Sequence, residues 1–129
     1  MSVRFRLARH PNRLDAKHSR IIEDLLGLAK AGQQEAVNTM VTMLADFHEQ
    51  GFESRFVKKL KGLPIWELKS RARGGAKGGS RVYFFVTGEA EVAIVNAESK
   101  SGDAPSSYKL DEVAEILFAY QQGIEVLED

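Results

Sequence analysis

The sequence predicts an α+β fold: a small antiparallel sheet of about four strands packed against an N-terminal helix hairpin, with one further helix at the C-terminus. Apolar residues alternate strictly at Val3, Phe5 and Leu7, recur at helical spacing between 21 and 47 and again between 110 and 120, and crowd into three short runs between 65 and 95. At 129 residues, the chain is the size of one domain with a substantial core, so residues 1–129 are expected to form a single unit.

The first strand comes from the alternation at 3–7, which puts three apolar side chains on one face; Pro11 and Asn12 then break it. Ile21, Ile22, Leu25, Leu26, Leu28 and Ala29 mark one amphipathic helix, and Val37, Met40, Val41, Leu44 and Phe47 a second. Gly32 is the hinge between them, and Gly51 ends the second. The stripe holding Met40 and Met43 is core, since methionines at this spacing commonly fill a packed interior. Leu60-Lys61-Gly62-Leu63-Pro64 reads as a turn. Ile65, Trp66 and Leu68 open a strand, and 82–86 and 92–95 form two more around a Thr87-Gly88-Glu89 turn. After Asn96 a polar connection holding Lys100 and Pro105 leads into the last helix, with Val113, Ile116, Leu117 and Tyr120 on one side and Gly123 beyond its end.

Charge is distributed unevenly along a chain whose basic and acidic residues both number 18. Residues 54–81 hold nine cations (Arg55, Lys58, Lys59, Lys61, Lys69, Arg71, Arg73, Lys77 and Arg81) against one acid, Glu67, whereas 82–129 hold Lys100 and Lys109 against ten acids. A one-sign patch attracts phosphate even on a neutral molecule, so this segment points to RNA. The sequence has no cysteine, which excludes disulfides, thiolate metal sites and a cysteine nucleophile. His10, His18 and His48 stand in no metal-ligand spacing, so neither metal nor cofactor is expected. No apolar run reaches the roughly 18 residues of a membrane span, and Arg4, Arg6 and Arg9 are followed by no signal-peptide core, so a cytoplasmic location is expected. The glycine-rich stretch 72–80 leads into a strand rather than a helix, which rules out a Walker-type phosphate loop.

The order strand, two helices, three strands, helix, together with Leu60-Lys61-Gly62-Leu63-Pro64-Ile65-Trp66-Glu67-Leu68-Lys69 and Ser80-Arg81-Val82-Tyr83-Phe84, resembles the RelE/HigB-type toxins of type II toxin-antitoxin systems. The likeness extends over nearly the whole chain and rests on short motifs. It implies a RelE-like fold, a metal-independent, ribosome-dependent messenger RNA endonuclease that inhibits translation, and a cognate helix-turn-helix antitoxin as partner. In such an enzyme the ribose 2′-hydroxyl attacks the adjacent phosphate. That requires a proton acceptor, cations for the pentacoordinate phosphorus and an acid for the leaving 5′-oxygen.

By position, the resemblance assigns catalytic roles to Lys69, Arg81 and Lys100, with Tyr108 stacking on a base or assisting proton transfer. Lys58, Lys59, Lys61, Arg71, Arg73 and Lys77 are RNA-binding cations, whose contribution falls with salt. Alternative roles remain for individual residues: Arg81 in a cross-strand ion pair, Tyr108 packed at the rim of the last helix, Trp66 in the core, and Glu67 either a general base or a salt-bridge partner. The chain departs from the family in its neutral overall charge, its acidic C-terminal part and the 74–79 insertion. Two other functions are therefore carried: a toxin of the same fold that binds a protein target such as gyrase, as the ParE branch does, and an RNA-binding module that does not cleave.

Overall fold

A computed structural model describes residues 1–70, 79–100 and 104–128. Strand β1 (Arg4–Leu7) leads through a short 3-10 turn at Pro11–Arg13 into helices α1 (Arg20–Lys30) and α2 (Gln34–Gln50). Strands β2 (Val57–Lys59), β3 (Trp66–Lys69), β4 (Gly79–Gly88) and β5 (Glu91–Lys100) follow, and helix α3 (Ser107–Gln121) comes last. The α+β class holds, but the sheet differs from the expected one in two respects. It has five strands in the order β1-β5-β4-β3-β2, and β1 lies parallel to β5, so the sheet is mixed rather than antiparallel. Alternation identifies a strand without specifying its direction. Strand β2 gives no apolar signal because two of its three residues are lysines, on an edge where charge deters further pairing.

The helices cover both faces of the sheet. Toward α1 and α2 point Leu68, Val82, Phe84, Val92, Ile94 and Ala97, packed with Ile21, Met40, Met43 and Phe47. The Phe47 ring lies 4.7 Å from Phe84 and 5.5 Å from Phe5, and Phe52 crosses Trp66 edge-on at 5.0 Å. Toward α3 point Tyr83, Phe85, Ala93 and Val95, packed with Val113, Ile116 and Ala119. A bulge between Tyr83 and Phe84 lets β5 take one extra residue, which aims Asn96 at α3. Gly51 follows α2 with φ 63°, and any side chain there would run into the Met1 carbonyl, so the position requires glycine.

Strand β5 runs to Lys100, beyond the apolar run that predicted it, so Lys100 stands in the sheet and not in a connection. Its extension was illegible because the inward positions Asn96 and Glu98 are polar, and their side chains bond to partners 13 to 16 residues away: the Asn96 amide donates to Lys109 O and Glu112, and Glu98 accepts from Tyr83. The two sheet edges are treated differently. Along β1 the C-terminal segment pairs back, with Arg9 N–H donating to Val126 O (2.7 Å) and Glu128 N–H to Leu7 O (2.8 Å). Past the end of β1, Asp24 of α1 accepts the Ala97 N–H of β5 (2.9 Å) and a Lys109 Nζ bond (2.6 Å). Arg20 clasps Glu112 at 2.8 Å, fastening α1 to α3. Among the described residues no helix is long and apolar enough to cross a membrane.

Candidate nucleic-acid interface

The strand register gathers most of the described cations singled out from the sequence onto one end of the α3-facing side of the sheet. In one rung Lys58, Glu67 and Tyr83 stand side by side on β2, β3 and β4. In the next Lys69, Arg81 and Glu98 do so on β3, β4 and β5, and Lys100 continues the same face opposite Gly79. Period-2 alternation places all seven side chains on the side where Leu68, Val82 and Ala97 are absent. This is the face α3 covers farther along, through Phe85, Ala93 and Val95.

Within this cluster a buried layer supports an accessible rim. Arg81 is 0% exposed and Glu67 1%, with the guanidinium Nη1 3.9 Å from Glu67 Oε2. Burial pushes the Glu67 carboxyl above the usual carboxylate range, and the charges of Arg81, Lys58 and Lys69 only partly oppose this. Its Oε2 accepts no hydrogen bond from any described residue. Beside it the Tyr83 hydroxyl donates to Glu98 Oε2 at 2.6 Å. Burial and that bond raise the phenol far out of its ordinary range, so Tyr83 remains a donor. Burial also pushes Glu98 upward, but bonds from Ser106 and Tyr83 outweigh it and hold the carboxyl below the usual range. Glu98 accepts the Ser106 N–H (3.0 Å) and hydroxyl, so it sits at the N-terminus of α3, where the helix dipole favours an anion.

The rim consists of Lys58, which is exposed, and Lys69 and Lys100, which are half-buried; Tyr108, in the first turn of α3 and 67% exposed, has the Lys109 ammonium 5.8 Å over its ring. Lys59 lies elsewhere: it alternates to the opposite face, where its ammonium stands 5.9 Å over the Trp66 ring and donates to Leu63 O at 2.8 Å. Lys61 is exposed in the turn between β2 and β3. Arg71, Arg73 and Lys77 lie outside the described residues. Trp66 packs against the α2-side core. Among the described residues no three His, Asp or Glu side chains converge as a metal site would require.

Sequence reasoning missed Tyr83 and Glu98. Tyr83 stands between Val82 and Phe84 in an apolar run, and its hydroxyl gives no signal without a partner. Glu98 falls in a stretch that reads as a polar connection. Only the β4–β5 pairing brings the two together, 15 residues apart along the chain. No protein-family model matches the chain, and no curated protein matches it either.

Proposed function

We propose that the protein is a RelE/HigB-like toxin that binds single-stranded messenger RNA at the end of its sheet and cleaves it on the ribosome. The supporting observation is the register that aligns Lys58, Lys69, Arg81 and Lys100 on one face, the first three around a carboxylate, Glu67, whose proton affinity burial has raised. In this reading Lys69 and Lys100 neutralise the phosphate as O2′ attacks phosphorus and the bond to O5′ breaks. Glu67, whose carboxyl burial makes a stronger base than an ordinary carboxylate, receives the 2′-hydroxyl proton, and the 5′-oxygen takes its proton from an ammonium of the rim or from Tyr108. Arg81 acts from beneath as the cation that keeps Glu67 in place. A cognate helix-turn-helix antitoxin would mask the cations with an acidic or apolar segment.

The burial of Glu67 and Arg81 favours a second reading, an RNA-binding module that does not cleave, because both must be uncovered to touch a phosphate. One experiment separates the two. The wild-type chain and a Lys69→Ala/Lys100→Ala variant are induced in a sensitive bacterium, with primer extension on a reporter transcript and circular dichroism on the purified proteins. Growth arrest with translation-dependent cuts, abolished in the folded variant, supports the nuclease. Salt-sensitive RNA binding without cuts would sink it in favour of the binding module.

A further inference from the structure

A cleft of about 720 Å³ opens between the first half of α2 and the segment that enters β2, lined by Asn38, Thr39, Thr42, Arg55, Phe56, Lys69 and Ser70. Its volume falls within the range of small-ligand sites. The exposed Arg55 guanidinium lies 4.8 Å over the Phe56 ring and pairs with no acid among the described residues. It is thus a flat cation held on an aromatic support, with its outer surface open. The opposite wall is neutral and polar. Asn38 Oδ1 already accepts from Gln34 Nε2 (2.9 Å), which leaves its amide as donor. The Thr39 hydroxyl already donates to Glu35 O (3.0 Å), which leaves its lone pairs as acceptors, and Thr42 can serve either way. None of the described lining residues is acidic. Lys69 belongs both to this cleft and to the rung it shares with Arg81, so the cleft adjoins the cationic end of the sheet.

From this geometry we infer that the cleft is a nucleotide subsite for single-stranded RNA, in which a base stacks on the Arg55–Phe56 platform and turns its polar edge to Asn38, Thr39 and Thr42. The inference rests on the RNA-binding reading above and adds a base-reading pocket on the α2 side of the sheet. Stacking on an aromatic or guanidinium plane tolerates any base, whereas donors and acceptors fixed on a helix discriminate. The flanking phosphate passes round the end of the sheet to Lys69, whose side chain stands on the α3-facing side.

Fluorescence anisotropy with labelled hexauridine, hexaadenosine and an abasic hexanucleotide tests it. Arg55→Lys keeps the charge and removes the plane, so it should weaken hexauridine binding about tenfold and leave the abasic oligomer unchanged. Thr42→Val with Asn38→Ala should alter the ratio of uridine to adenosine affinity, while Lys100→Ala weakens all three probes alike. If Lys100→Ala weakens binding but the cleft variants leave every probe unchanged, the subsite is overturned and the RNA-binding reading stands. If the folded wild-type chain binds none of the probes, both are overturned. If a hexaglutamate peptide binds wild type but not Arg55→Lys while RNA affinity is unaffected, the cleft belongs to an acidic peptide and the inference fails.

Discussion

The two faces of the sheet solve different problems. Beneath α1 and α2 the face is apolar across β3, β4 and β5, from Leu68 and Phe84 to Ile94, and closes over Phe47 and two methionines. Beneath α3 it is apolar only as far as Phe85 and Val95; at Tyr83 it changes to Glu67, Arg81, Asn96 and Glu98. The first face stabilises by removing apolar area from water and makes no demand on partner geometry. The second must satisfy each buried polar group individually, which ties its stability to pH and to particular neighbours. A site with perturbed proton affinities belongs on the second kind of surface.

The largest effect should come from breaking the apolar face. Phe47→Ala removes the ring that touches Phe5, Phe52 and Phe84 and should cost about 3–5 kcal/mol in urea unfolding. On the charged face Arg81→Met leaves Glu67 without the cation nearest its carboxylate and should cost about 3 kcal/mol. Adding Glu67→Leu should restore most of that stability, and a double variant as unstable as the single would show that the pair is not coupled. Tyr83→Phe removes one charge-assisted bond to Glu98 and should cost about 1.5 kcal/mol, with α3 still formed by circular dichroism.

Titration sharpens the contrast further. Glu67 holds its proton more tightly folded than unfolded, so its contribution is full below the ordinary carboxylate range and is lost as pH rises through the raised value. Glu98 has the opposite sign: its contribution is present above the ordinary range and is lost as pH falls through the depressed value. Urea midpoints measured across pH should therefore show Glu67→Gln removing a decline on the alkaline side and Glu98→Gln removing one on the acid side. An unchanged profile in Glu67→Gln would contradict the burial-driven shift. The smallest effect on stability belongs to the rim. Lys58→Ala with Lys100→Ala should stay within about 0.5 kcal/mol of wild type, yet make the logarithmic slope of RNA affinity against salt shallower by about 0.7 for each phosphate left without a cation.

Helices and apolar strands were legible because their signal is local. Ile21 to Ala29 and Val37 to Phe47 recur at the helical period, and those spacings fall within α1 and α2. Val82 to Val86 announced β4 by composition alone, and the clustering of cations between 54 and 81 marked the end of the sheet where Lys58, Lys69 and Arg81 meet. The helix and strand signals depend on residues within a few positions of one another, which is the distance over which periodicity and propensity act.

Tertiary structure decided whatever depended on partners distant in the chain. The direction of β1 beside β5, the three-residue edge strand β2 and the extension of β5 to Lys100 all follow from pairing, which leaves no local pattern when the residues concerned are charged or few. The same holds for the site. A lysine or arginine in a strand has no assigned face or burial until its neighbours are fixed, and packing sent Lys59 over Trp66, Lys58 and Lys69 to the opposite face, and Arg81 into the interior against Glu67. Composition determines how much charge a chain carries, but the desolvation that gives a charge its chemistry exists only once the fold has closed around it.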